Sequence, residues 1–93
     1  MPAWPKEFDE VLRRFCRFAN PDEEIDADAF FLELGVDSLA MLSLIVESEE
    51  ALGVILTPDL LTAESLATTG GFWQLLREQL EGEADRQESE PAR

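Results

Sequence analysis

Apolar side chains recur at spacings of three and four in three separate stretches of this chain, and nowhere do they alternate at a period of two. That pattern suits one buried stripe on each of several helices and gives no signal for a sheet. Phe8, Val11, Leu12, Phe15 and Ala19 make the first stripe and predict a helix over residues 6–19, with Cys16 as a small core residue beside it. Asn20-Pro21 ends this helix, because proline pushes the residue before it out of helical geometry. Ser38 and Gly53 are a favourable cap and stop for a second helix over 38–52, and Asp37 sets a carboxylate at its positive end. Thr68 or Thr69 caps a last helix reaching about residue 80, striped by Phe72, Leu75, Leu76 and Leu80 with Trp73 alongside. Between these two helices, 54–58 reads as a turn and 65–66 as a short helical piece.

Residues 21–37 form a long acidic connection. A structureless loop of that length is unusual in a compact domain. Ile25, Phe30, Phe31, Leu32 and Leu34 are therefore expected to pin it across the core, with a helical turn near 28–32. Residues 81–93 carry no large apolar side chain and are expected to be a disordered acidic tail, leaving 1–80 as the domain. The predicted fold is all-α: a small bundle of three main helices plus a short one.

Charge narrows the function. Seven basic against 21 acidic residues give a net charge of −14 in 93 residues. Such a chain repels nucleic-acid backbones and anionic lipid surfaces. No apolar run approaches the ~18 residues that span a bilayer, and the N-terminus lacks an apolar signal core, so a cytoplasmic protein is expected. Lys6, Arg13, Arg14 and Arg17 all lie near the start, and no basic residue occurs from Phe18 to Leu76. That stretch carries twelve acids, a one-sign field that steers a basic partner toward it.

The chain has no histidine, and its lone Cys16 has no second thiol to pair with. The usual general base, the Ser-His and Cys-His dyads and the commonest metal ligand are all missing. No catalytic constellation can be assembled, since Glu49 and Glu50 are neighbours on a solvated helix face, and no metal site is expected. Any chemistry at this protein is supplied by another molecule.

At 3.6 residues per turn, the second helix has two apolar faces. Met41, Leu44, Ile45 and Leu52, with Ser48 among them, form the core face. Leu39, Leu42 and Val46 gather on another side, flanked by Ser43, Glu49 and Glu50. The long connection is the element able to cover this second strip, and Leu39 is the residue it would reach. Leu42 and Val46 are expected to stay exposed. An apolar strip with a charged rim beside one hydroxyl has the anatomy of a docking site rather than of a catalytic pocket.

The sequence Leu34-Gly35-Val36-Asp37-Ser38-Leu39 opens this helix in the middle of a domain of about 80 residues, with Glu50-Ala51-Leu52-Gly53-Val54 and Leu66-Ala67-Thr68-Thr69-Gly70 downstream. Over residues 6–80 the combination resembles the acyl carrier proteins and peptidyl carrier proteins. The resemblance implies a 4′-phosphopantetheine arm joined to Ser38 through a phosphodiester and installed from coenzyme A by a phosphopantetheinyl transferase. It implies that the arm's thiol holds an acyl or aminoacyl group as a thioester. A loading enzyme and a downstream synthase, transferase or thioesterase would handle that group. Asp37, Leu39, Leu42, Val46, Glu49 and Glu50 then fall where the family meets its partners. Ala40 and Ser43 stand at positions that are frequently acidic in fatty-acid carriers, which points to polyketide or nonribosomal-peptide synthesis. Gly71 stands where an acid is common. The implied protein is a discrete, monomeric carrier without catalytic residues of its own. The competing reading is an acidic helical interaction module without a prosthetic group, in which Ser38 is only a helix cap.

Overall fold

The computed structural model describes residues 4–89. Three α-helices, α1 (Lys6–Phe15), α2 (Ser38–Leu52) and α3 (Thr69–Ser89), are joined by long connections, the second of which holds a 3-10 turn at Pro58–Leu60. No strand occurs among the described residues, only an isolated bridge between Phe30 and Thr68. The all-α bundle expected from the apolar spacing is the fold observed.

Helix α1 carries Glu7 and Asp9 in its first turn and Arg13 and Arg14 in its last, the arrangement that suits the helix dipole. It stops at Phe15, one turn short of the predicted Ala19. Side-chain hydrogen bonds take over from the helical ladder there. Arg13 Nη1 and Nη2 donate to the carbonyls of Asn20 and Glu23, at 3.4 and 2.8 Å, and fold the following segment back along the helix. The other side of Arg13 holds Asp9, through Nε at 2.8 Å, while Trp4 Nε1 donates to the second Asp9 oxygen at 3.0 Å. Burial alone would raise the Asp9 carboxyl. The bonds from Trp4 and Arg13, with the charge of Arg13, outweigh that and hold it below the usual carboxylate range.

The core is built around rings. Phe8 is wholly buried and meets Trp4 edge-on at 5.7 Å, Phe72 at 5.8 Å and Trp73 stacked at 5.6 Å between centroids. Val11, Leu12, Leu44, Ile45, Leu75 and Leu76 complete the centre, and Cys16 is buried beside them. Phe15, Ala19, Met41, Leu52, Trp73 and Leu80 are partly buried at the edge. The predicted stripes are thus core on all three helices.

The 21–37 connection is stitched to the start of α3. The amides of Phe31, Thr69 and Gly70 donate to the carbonyls of Ala67, Ala29 and Ala27, and the Thr69 hydroxyl donates to Asp26 O at 2.7 Å. Ile25 and Phe31 are buried by this, as expected. Phe30 and Leu32 are not: they are 52% and 82% exposed. The turn here is tight, with Leu34 N on Phe30 O, Gly35 N on Leu32 O and Val36 N on Phe31 O. Of the three consecutive residues 30–32, only Phe31 faces inward.

The short helix is the 3-10 turn rather than 65–66. Proline at its first position suits a helix start, while the Ser65 hydroxyl is engaged with the Leu60 and Thr62 carbonyls. Thr68 caps α3, its hydroxyl accepting from Gly71 N at 3.0 Å. Helix α3 continues past the expected end near Leu80, with an Arg77–Glu81 pair at 3.6 Å across one turn. The expected tail over 81–93 thus meets a helical backbone as far as Ser89, and 90–93 lie outside the described residues.

Candidate functional site

Asp37, not Ser38, caps α2. Its backbone is extended, and its Oδ1 accepts from Ala40 N at 2.8 Å, while its carbonyl accepts from Met41 N. Both residue types make good caps, and the carboxylate takes the role here. Ser38 moves to the first helical position. Its side chain is exposed, and no described residue forms a hydrogen bond with its hydroxyl. The amides of Ser38 and Leu39 precede the helix's own hydrogen-bond ladder and carry its partial positive charge.

Beside Ser38 lies an open recess of about 230 Å³, walled by Phe30, Phe31, Leu32, Val36, Met41 and Leu66. The exposed Phe30 and Leu32 form one side of it. A phosphoryl group on Ser38 would meet helix-terminal amides, and a branched apolar chain leading from it would meet this wall. The residues present therefore fit a phosphate-linked arm.

Leu39, Leu42 and Val46 are 77%, 62% and 50% exposed, so the second apolar strip of α2 is uncovered along its length. A shallow groove of about 280 Å³ runs between Leu42, Ser43, Val46 and Glu47. Of the two acids expected at its rim, Glu50 is exposed one turn beyond Val46, whereas Glu49 is engaged elsewhere. The Glu49 carboxylate turns to the chain beyond α2 and accepts from Leu56 N at 2.7 Å, which ties that loop down. Glu50 is exposed and lines a depression with Val11, Arg14 and Ala51 on the α1 side. Glu47, which the sequence reading passed over, borders the strip and pairs with Arg14 of α1. Its place one turn beyond Ser43 was the available signal.

Other groups capable of chemistry are sequestered. Among the described residues no cluster of three or more metal-ligating side chains is present. Cys16 is buried, and burial pushes its thiol up to about 11. A raised value keeps the thiol protonated until the pH approaches it, so at pH 8 only about one molecule in a thousand carries the reactive thiolate. We expect iodoacetamide at pH 8 to leave the folded, unmodified chain unlabelled and to add one label once urea unfolds it. Fast labelling of the folded chain would show that Cys16 is accessible.

The family profile described as "Phosphopantetheine attachment site" matches residues 9–72, a span that includes Ser38. Two solved structures are similar in shape. Both are crystal structures of an engineered Bradyrhizobium japonicum glycine:[carrier protein] ligase complexed with a carrier protein from Agrobacterium tumefaciens, one with AMP and one with ATP. Each matches with a TM-score of 0.65 at 24% identity, over 76% and 77% of this chain and 95% and 94% of the matched chain. At that identity the likeness is one of fold. No curated protein matches the sequence.

Proposed function

Since the chain belongs to the phosphopantetheine attachment site family and is a carrier protein domain, we propose that Ser38 carries its covalent 4′-phosphopantetheine. On this reading the protein holds acyl or aminoacyl intermediates and presents them to partner enzymes. The observation that carries this is the Ser38 hydroxyl, exposed at the first turn of α2 and without a hydrogen bond to any described residue because Asp37 has taken the cap. When bound, the arm supplies a terminal thiol for thioester formation. The chain's own residues would do the rest: helix-terminal amides would meet the phosphate, Phe30, Leu32 and Met41 would line the path of the chain leading from it, and Asp37 fixes the turn. Catalysis belongs to the partners, and the protein itself is not an enzyme. Mass analysis of the folded chain after exposure to coenzyme A and a transferase tests the assignment.

The carrier domain comprises residues 1–80, with 81–93 an appended acidic tail; Leu75 and Leu76 are the last buried side chains described in α3. The partners are a phosphopantetheinyl transferase, a loading enzyme that forms the thioester, and a downstream synthase, transferase or thioesterase. They dock on Leu39, Leu42 and Val46. Asp37 and Glu50 add negative charge at either end of the strip, and Glu49 acts through the loop it holds. The matched carrier was captured with a glycine ligase, which favours an aminoacyl cargo as much as an acyl one. The uncharged Ala40 and Ser43 on α2 favour a polyketide or nonribosomal-peptide pathway, with the protein a cytoplasmic monomer.

Val46→Asp tests the docking strip. Val46 is half exposed, so the substitution is expected to change stability by no more than about 0.5 kcal/mol. Transfer of cargo from the loading enzyme should fall at least tenfold in kcat/KM, because a charge enters the apolar centre of the contact. Thermal unfolding and loading kinetics on the same sample check both halves. Unchanged loading would place the docking surface elsewhere.

A further inference from the structure

The reading of Ser38 leaves one large exposed ring unexplained. Phe18 is 70% exposed, yet its ring packs against Gly35. A Cβ on Gly35 would stand 3.0 Å from Phe18 Cδ2 and 3.2 Å from two more ring carbons, and Gly35 has φ +84°. A side chain at residue 35 is thus strained by the backbone and would push the ring back by a few tenths of an ångström.

The same two residues hold the backbone there. Phe18 N donates to Leu34 O at 3.0 Å, and Arg17 Nε donates to Gly35 O at 3.1 Å. The Arg17 guanidinium lies over the Phe18 ring, 5.6 Å from its centroid, a cation–π contact that ties the two side chains together. The next amide, Val36 N, is held by Phe31 O at 3.0 Å. Two successive residues after α1 therefore grip two successive carbonyls of the turn that leads into Asp37 and Ser38. The turn from α1 into residues 16–19 brings them there, which the predicted straight helix to Ala19 would not do.

We propose that Arg17 and Phe18 are positioning residues for the reaction at Ser38, setting the height and direction in which the first turn of α2 offers its hydroxyl. The inference rests on the assignment of Ser38. A charged donor on a carbonyl is worth more than a neutral one, and guanidinium stays charged at every pH of interest. The grip is therefore constant rather than switchable. Its loss lets the turn sample other geometries without unfolding the bundle, because neither side chain belongs to the core cluster.

The test compares wild type, Ser38→Ala, Arg17→Ala, Arg17→Lys and Phe18→Ala, all without the arm, as substrates of a promiscuous phosphopantetheinyl transferase with coenzyme A. Intact mass gives the rates across a range of carrier concentrations. Circular dichroism and amide exchange at Val36 and Asp37 accompany them. Arg17→Ala and Phe18→Ala are expected to lower kcat by about threefold to tenfold, leave KM within twofold and speed exchange at Val36, while the helical signal persists. Arg17→Lys, whose ammonium can reach the same carbonyl, is expected to recover at least half of the lost rate. An unchanged kcat in Arg17→Ala overturns the proposal. So does a loss that appears only in KM, which would make the pair a contact to the transferase. Should Phe18→Ala fail to fold, the two Arg17 variants carry the decision. If wild type does not load, or Ser38→Ala does, the Ser38 assignment itself fails. A wild type that loads at Ser38 beside an equally fast Arg17→Ala sinks the positioning role alone.

Discussion

Exposed to coenzyme A and a promiscuous phosphopantetheinyl transferase, the folded chain is expected to gain the mass of one phosphopantetheine arm, and Ser38→Ala to gain none. The contrast is expected to be all or none, because the other hydroxyls nearby are poorly placed. Ser48 is wholly buried. Ser43 is exposed but stands mid-helix, where the backbone amides are already engaged in the α2 ladder and offer nothing to a phosphate. The variant is also expected to keep its fold. Asp37 supplies the cap through Ala40 N, so removing the Ser38 hydroxyl breaks no hydrogen bond, and stability should move by at most about 0.5 kcal/mol. Asp37→Ala makes the useful companion: it should cost about 1 kcal/mol of stability through the lost cap while leaving the hydroxyl in place. A wild-type sample that is folded by circular dichroism yet keeps its mass unchanged would reduce the chain to an acidic interaction module.

The second large effect is on stability. Phe8→Ala is expected to cost about 3–5 kcal/mol. A domain of this size is stable by roughly 5–14 kcal/mol, so the variant should be near the edge of folding. Phe8 is the one ring that touches the N-terminal Trp4, Phe72 at the start of α3 and Trp73 beside it. Deleting it removes the ring through which α1 packs on Trp4 and on α3, and a cavity remains because Leu12 and Leu76 are already fully packed. Urea unfolding followed by tryptophan fluorescence should show the midpoint falling, and the melting temperature should drop by about 15–30 °C. A loss under 1 kcal/mol would mean that the rings do not share one packed centre.

The sequence was most legible where one physical rule acted alone. Period 3.6 placed the helices, and the two apolar faces of α2 separated Leu44 and Ile45 from the exposed Leu42 and Val46. It was least legible where neighbouring elements compete for a group. Asp37 and Ser38 are equally good caps in isolation, and only the extended backbone at residue 37 decides between them. Glu49 reads as a rim charge on a helical wheel, yet the amide of Leu56 lies within its reach because Gly53 turns the chain back with φ +68°. Helix α1 has the stripe to reach Ala19, but the carbonyls of Asn20 and Glu23 draw Arg13 and end it early. Phe18 and Arg17 gave no signal, because their target, Gly35, is distant in sequence and has no side chain to announce a contact.

All three arginines near the end of α1 are engaged within the chain: Arg13 with Asp9 and two carbonyls, Arg14 with Glu47, Arg17 with Gly35. Their charge is tethered in place, and the excess of carboxylates surrounds it. Two copies approaching each other therefore meet mostly like charge and push apart at low ionic strength. A concentrated sample is therefore expected to stay dispersed in dilute buffer and to draw together only as added salt screens the carboxylates.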